Sequence, residues 1–179
     1  MSGVEVTEIS ASDEARLRET IDDAWSASRN GIRPFAAQIV DTDGTVLARV
    51  INVVAQTNDP TAHAEVHAIR VAAMKIGRPD GLAGATLYAS AEPCAMCAAA
   101  AHWAGLAKVI FGVGEERLRV LYGSTDILRP ITMSCREVIA SGGNVVSVVG
   151  PVLESEAAAP HVGFWTSASS EVSRSERMS

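Results

Sequence analysis

An α/β sandwich around a mixed five-stranded sheet is the fold class this sequence predicts, and three observations predict it. Strand-like and helix-like segments alternate as β-β-α-β-α-β-α-(α)-β after one leading helix. The first two strands are joined by a turn of hairpin length, which pairs them antiparallel, while helices separate the later strands, so that the pairing is mixed. Hydrophobic residues fill 47% of the 179 positions, sufficient for one core of ordinary domain size.

The leading helix covers residues 13–28, where Leu17, Ile21, Ala24, Trp25 and Ser28 recur at helical spacing, with Ser12 as candidate N-cap and Gly31 beyond the end. Residues 35–40 read as a buried strand, Asp41-Thr42-Asp43-Gly44 as a hairpin turn, and residues 46–54 as the β-branched partner strand. Asn58-Asp59-Pro60-Thr61 has turn and capping chemistry, after which residues 62–76 are helix, stopped by Gly77 and Pro79. His63 and Glu65 therefore belong to a first helical turn. Residues 85–90 form a short strand leading to Pro93, and residues 94–103 an alanine-rich helix able to approach its neighbours closely. A strand over 108–113, helices over 115–121 and 136–140, and a last strand over 144–149 after Gly142-Gly143 complete the set. The starts of the two helices carrying His63 and Cys94 are expected to meet at one edge of the sheet. From Thr166 the chain is Ser-rich and polar, a tail over 166–179 expected to be mobile. No internal repeat is present.

Net charge is −6 with a pI near 5.2, which removes general attraction to a phosphate backbone and argues against a nucleic-acid partner. Mean hydropathy of +0.16 excludes a mainly disordered chain. No run of apolar residues is long enough to span a bilayer, and the N-terminus lacks a basic start followed by an apolar run, so a cytoplasmic protein without a membrane partner is expected. Three cysteines, two of them in a CxxC, suit a reducing compartment and a metal site better than a disulfide framework.

The chemistry-bearing pattern is His63-Ala64-Glu65 followed about thirty residues on by Pro93-Cys94-Ala95-Met96-Cys97. His63, Cys94 and Cys97 supply three ligands for one Zn²⁺ and leave a fourth tetrahedral position for water. Cys94 and Cys97 lie one helical turn apart on one face. Pro93 suits the first helical position, and a helix N-terminus favours the thiolate. Glu65, two residues after His63, can take a proton from the activated water and pass it to a departing nitrogen. Two blander readings compete, a redox CxxC with an unrelated histidine and a closed structural zinc site. The closed site needs a fourth ligand, for which His67, on the face of His63, is the plausible candidate and Cys135 the remaining cysteine. The carboxylate between the two histidines favours catalysis over both. The N–H of Ala64, at a helix start, can donate to an acceptor on a bound ligand.

These residues match the H-x-E…P-C-x-x-C signature of zinc nucleobase deaminases. Over about residues 35–111, and more weakly to 165, the chain resembles the cytidine-deaminase-like superfamily. Asn58 to Glu65 and Glu92 to Cys97 look most like bacterial guanine deaminases and tRNA adenosine deaminases. The resemblance implies a three-layer α/β/α sandwich with a central mixed five-stranded sheet, and a single zinc-dependent deaminase domain over residues 1–165. It further implies one Zn²⁺ per chain on His63, Cys94 and Cys97, Glu65 as proton carrier, and a homodimer. The implied reaction is hydrolysis of an exocyclic amine on a small amino-heterocycle, guanine or a related aminopurine, aminopyrimidine or aminotriazine. Nucleosides, tRNA adenosine and a non-catalytic zinc scaffold are the alternatives. For the substrate, the resemblance implies Asn52 as ring-binding amide and Phe35 as pocket wall. It also implies Trp103 as an aromatic beside the base and, allowing one inserted residue, Asp126 as the acid that recognises the purine amine and ring N–H. The segment His161 to Trp165 resembles a guanine-deaminase C-terminus that can cover a partner's site. Departures are Ala36 in place of the family glycine, one extra residue in the first hairpin, and little family pattern over residues 115–130.

Overall fold

The computed structural model describes residues 9–78, 81–123, 131–143 and 146–165. The expected Ser-rich tail, the start of the last expected strand at Asn144, and Asp126 lie outside the described residues. Helix α1 (Ala11–Arg29) opens the fold. Its N-cap is Ser10, not Ser12: the Ser10 hydroxyl accepts from the Asp13 N–H at 3.0 Å while the Asp13 carboxylate accepts from the Ser10 N–H, a reciprocal pair that Ser12, three residues before Ala15, cannot make.

The hairpin β1 (Ala36–Val40) and β2 (Val46–Ile51) follows. Its extra residue is absorbed as a register shift between Ile39, opposite Ala48, and Val40, opposite Val46. The second strand stops at Ile51, earlier than the β-branched run suggests. The Asn52 side chain accepts from the Val54 N–H at 3.2 Å and turns the chain into a short helix, α2 (Val54–Thr57), which Asn58 ends in a left-handed conformation. Helix α3 (Ala64–Ile76) is followed by β3 (Thr86–Ala91), α4 (Ala95–Trp103), β4 (Lys108–Val113), α5 (Glu115–Tyr122), α6 (Cys135–Ser141), β5 (Ser147–Val149), α7 (Glu154–Ala158) and a single 3-10 turn, Ala159–His161.

The sheet order is β2-β1-β3-β4-β5, with β1 antiparallel to β2 and β3, and β3, β4 and β5 mutually parallel. Two apolar clusters cover its faces. One joins the sheet to α3, α4 and α6 through Ala68, Ala72, Ala98, Ala101 and Ile139. The other joins it to α1, α5 and α7 through Leu17, Ile21, Leu118 and Ala157. Ala64, Ala68 and Ala72 of α3 and Ala98 and Ala101 of α4 are fully buried, which lets the two helices pack together on one face. A hydrogen bond from the Tyr88 hydroxyl to Asp13 at 2.6 Å, with Lys108 3.6 Å away, ties α1 to β3 and β4. These layers are the three-layer mixed sandwich that the sequence implies.

Candidate active site

Topology gathers the site at one end of the sheet. Ala91 at the end of β3 pairs with Val113 at the end of β4, and each strand leads directly into a helix start, Cys94 and Glu115 respectively. Because β1 runs antiparallel to β3, its first residues lie at that same end, where the Ala36 N–H donates to the Ser90 hydroxyl at 3.0 Å. The antiparallel hairpin returns β2 there too, so Asn52, whose N–H donates to the Phe35 carbonyl at 2.9 Å, sits beside Phe35. The site thus lies off the carboxyl end of β3, the central strand, and not at a lateral edge of the sheet.

His63 and Cys94 are the N-caps of α3 and α4, each in extended conformation, one residue earlier than a place in the first turn. Pro93 accordingly precedes the cap. His63 Nδ1 lies 3.6 Å from Cys94 Sγ and 3.5 Å from Cys97 Sγ, and the two sulfurs are 3.6 Å apart. Tetrahedral zinc with bonds of ~2.0–2.3 Å puts neighbouring sulfur and nitrogen donors roughly 3.6–3.8 Å apart, so the three donors fit that ion. His67 is turned away, its Nδ1 3.5 Å from the Ile51 carbonyl, and Cys135 is buried elsewhere. Among the described residues the ligand group is His63, Cys94 and Cys97 alone, an open site and not a closed structural one.

The two sulfurs share a hydrogen bond. The bond from Cys97 pulls the Cys94 thiol down to about 4, and that same sharing, with burial, pushes Cys97 up. His63 is raised by its bond to Cys94, and burial lifts Glu65, 5% exposed, to about 7. A bound dication would hold both sulfurs as thiolates. Glu65 Oε2 is 3.5 Å from Cys97 Sγ, beside the ligand group but not part of it.

In front of the ligands is a cavity of 310 Å³, at the small end of the ~300–1,000 Å³ usual for ligand pockets. Phe35, Pro60, Met96, Leu118, Tyr122 and Ile131 give it apolar walls; Asn52, Glu65, Glu92 and Glu115 bring polar groups, and Arg33 is the cation among its described lining residues. Asn52 is 4% exposed, with its Oδ1 held by the Val54 N–H and its amide nitrogen without a protein partner among the described residues. The Ala64 N–H heads α3 and likewise has no partner there. Behind the wall, His161 meets Phe35 edge-on at 5.1 Å and Trp165 meets Tyr122 at 4.7 Å. Within the single chain the C-terminal aromatics therefore back their own pocket.

Trp103, expected beside the substrate ring, is a correction. It is the last residue of α4, which carries it about 13 Å along the helix from the Cys94 end, and it is 85% exposed. Its spacing from Cys97 matches the family, but the helix axis points it away from this cavity. Arg33, Glu92, Glu115, Leu118, Tyr122 and Ile131 were not singled out from sequence. Of these, Glu92 and Glu115 carried a weak signal, an acid directly before Pro93 and another directly after a strand-ending glycine.

Zinc-type ligands open on one side, beside a buried carboxylate and a small cavity, define a metal-dependent hydrolase site. The model of the cytidine and deoxycytidylate deaminase zinc-binding region matches residues 10–113, and the chain belongs to that family. It is 38% identical over 159 residues to a probable cytosine deaminase of Schizosaccharomyces pombe, covering 89% of this chain and 96% of that one. A guanine deaminase of Bacillus subtilis is 48% identical over 83 residues, 46% of this chain and 51% of that protein. Among solved structures, a chain crystallised with 2,6-diaminopurine superposes with a TM-score of 0.72 at 25% identity, covering 89% of this chain and 84% of that one. The protein is a hydrolytic C–N deaminase of the zinc type. No helix among the described residues is long and apolar enough to cross a membrane.

Proposed function

We propose that this deaminase removes the exocyclic amine of a small free heterocycle, with guanine or a related aminopurine as first choice. The observation that carries this is the charge of the cavity: Glu65, Glu92 and Glu115 line it against Arg33 alone among the described cations. Such a lining disfavours phosphate-bearing substrates, nucleotides and tRNA alike, while its apolar walls suit a planar ring. Phe35 and Tyr122 flank the ring, the Asn52 amide nitrogen donates to a ring acceptor, and the Ala64 N–H binds a ring oxygen or nitrogen. His63, Cys94 and Cys97 would hold zinc, whose chemistry there would be to activate a water. Glu65 takes the proton and returns it to the leaving nitrogen, so that ammonia departs. Asp126 recognises the purine amine and ring N–H.

Cytosine is the second reading, favoured by the likeness to a probable cytosine deaminase along nearly the whole chain. The test is ammonia release from guanine, 2,6-diaminopurine, cytosine, isocytosine, aminotriazines, guanosine and cytidine. Guanine turnover with weak nucleoside turnover is the expected result; activity confined to nucleosides or to tRNA overturns the reading. Asp126→Ala is expected to lower guanine use selectively, whereas an equal loss on cytosine would remove it from recognition. A homodimer covering Trp103 and Met74, 85% and 77% exposed, is part of the same proposal, checked by sedimentation.

A further inference from the structure

Glu115 is the first residue of α5 and stands in the cavity wall with Phe35, Asn52, Cys94 and Tyr122. Its side chain is 22% exposed, and one oxygen, Oε1, accepts from Arg119 Nε at 3.2 Å. The other oxygen has no protein partner among the described residues. Its backbone is fixed by Glu92, whose Oε2 accepts from the Glu115 N–H at 3.0 Å while its Oε1 accepts from the Cys135 N–H at 3.0 Å. One carboxylate directly before Pro93 and Cys94 thus caps both α5 and α6 and locks the cavity wall to the metal-bearing segment.

A ring bound with its amine-bearing carbon at the metal site must direct another edge at the cavity wall. In a free base one ring nitrogen on such an edge carries a hydrogen; in a nucleoside that nitrogen carries the sugar. A half-buried carboxylate oxygen with no protein donor gains a strong bond from that N–H and loses its solvation to no purpose when the N–H is absent. We propose that Glu115 accepts the ring N–H that a glycosidic bond would replace, selecting free bases over nucleosides, with Glu92 as the positioning residue that holds it there. This rests on the free-heterocycle reading above. A site built to bond a substrate N–H discriminates steeply against analogues lacking it.

The experiment compares kcat/KM on guanine with guanosine, and on cytosine with cytidine, for the zinc-loaded wild type, Glu115→Gln and Glu92→Gln. In Glu115→Gln the base-over-nucleoside ratio is expected to fall at least ~10-fold, carried by KM on the base, with one zinc per chain and an unchanged thermal midpoint. Glu92→Gln is expected to move the same ratio in the same direction by less, a change that mere loosening of the fold, which lowers both substrates together, would not produce. An unchanged ratio in folded, zinc-loaded Glu115→Gln overturns the proposal. Should that variant not fold, the wild type decides: 9-methylguanine and 1-methylcytosine, which keep the amine and lose the N–H, are expected to react at least ~10-fold more weakly than the bases. Equal turnover overturns the proposal. A wild type silent on every free base instead overturns the functional reading beneath it.

Discussion

Cys97 is fully buried and touches His63, Cys94 and Glu65 at once, so its replacement removes a ligand and leaves the others poorly placed. Cys97→Ser is expected to fall well below one zinc per chain by atomic emission, since hydroxyl oxygen is a poor substitute for thiolate in this ligand set. Glu65 separates binding from chemistry. Glu65→Ala is expected to keep one zinc per chain and lose at least ~10²-fold in turnover, the scale of general acid–base catalysis. Full ammonia release from that variant would sink the mechanism, and loss of its zinc would make Glu65 a structural residue. At this scale the metal residues were legible because three ligands and one acid fall within two short motifs. Trp103 was not, because spacing along a helix fixes a residue's phase and leaves open which end of the helix faces the cavity.

Elements hold the cavity through their starts. Helix α6 is seven residues long and begins with a capping box, in which the Ser134 hydroxyl accepts from the Glu137 N–H at 3.2 Å and the Glu137 carboxylate accepts from the Ser134 N–H at 2.8 Å. Ser134→Ala is expected to cost about 1 kcal/mol in urea unfolding. Strand β4 admits no side chain at Gly112, where a Cβ would stand 2.5 Å from both the Ala157 Cβ and the Ser90 carbonyl oxygen. Gly112→Ala is expected to cost ~1–3 kcal/mol, because α7 or β3 must move to make room. An unshifted unfolding midpoint would mean that α7 is held more loosely than its packing suggests. The main elements were legible from caps, turns and periodicity. The early end of β2 was not, because Val53 and Val54 favour strand by type while the Asn52 side chain bonds the following backbone and turns the chain into α2.

The whole molecule is closed by its C-terminal segment, where His161 is fully buried between Phe35 and Trp165, with neither ring nitrogen bonded among the described residues. Desolvation alone holds it down to about 4, so it stays neutral in the folded chain. The unfolded chain binds a proton there below ~6.5, hence stability is lost as pH falls from ~6.5 toward about 4 and levels off below that. At pH 5 the loss from this group is on the order of 2 kcal/mol. Comparing urea unfolding at pH 7.5 and pH 5, His161→Phe is expected to lose less stability than wild type by about that amount. Equal losses would mean that His161 is protonated or solvated in the fold.

By itself the sequence determined the family, the mixed sandwich and the three metal ligands with their neighbouring acid. The sandwich follows from apolar periodicity, and the family and ligands from two short motifs and the resemblance they carry, each legible in a few neighbouring residues. Only the tertiary structure decided that His67 turns from the metal and that Trp103 leaves the cavity. It alone set Glu92, Glu115 and Tyr122 in the wall, and His161 and Trp165 behind it. Those placements depend on how β1, β3 and β4 share one end of the sheet, and pairing between strands that are distant in the chain follows from packing of the whole core.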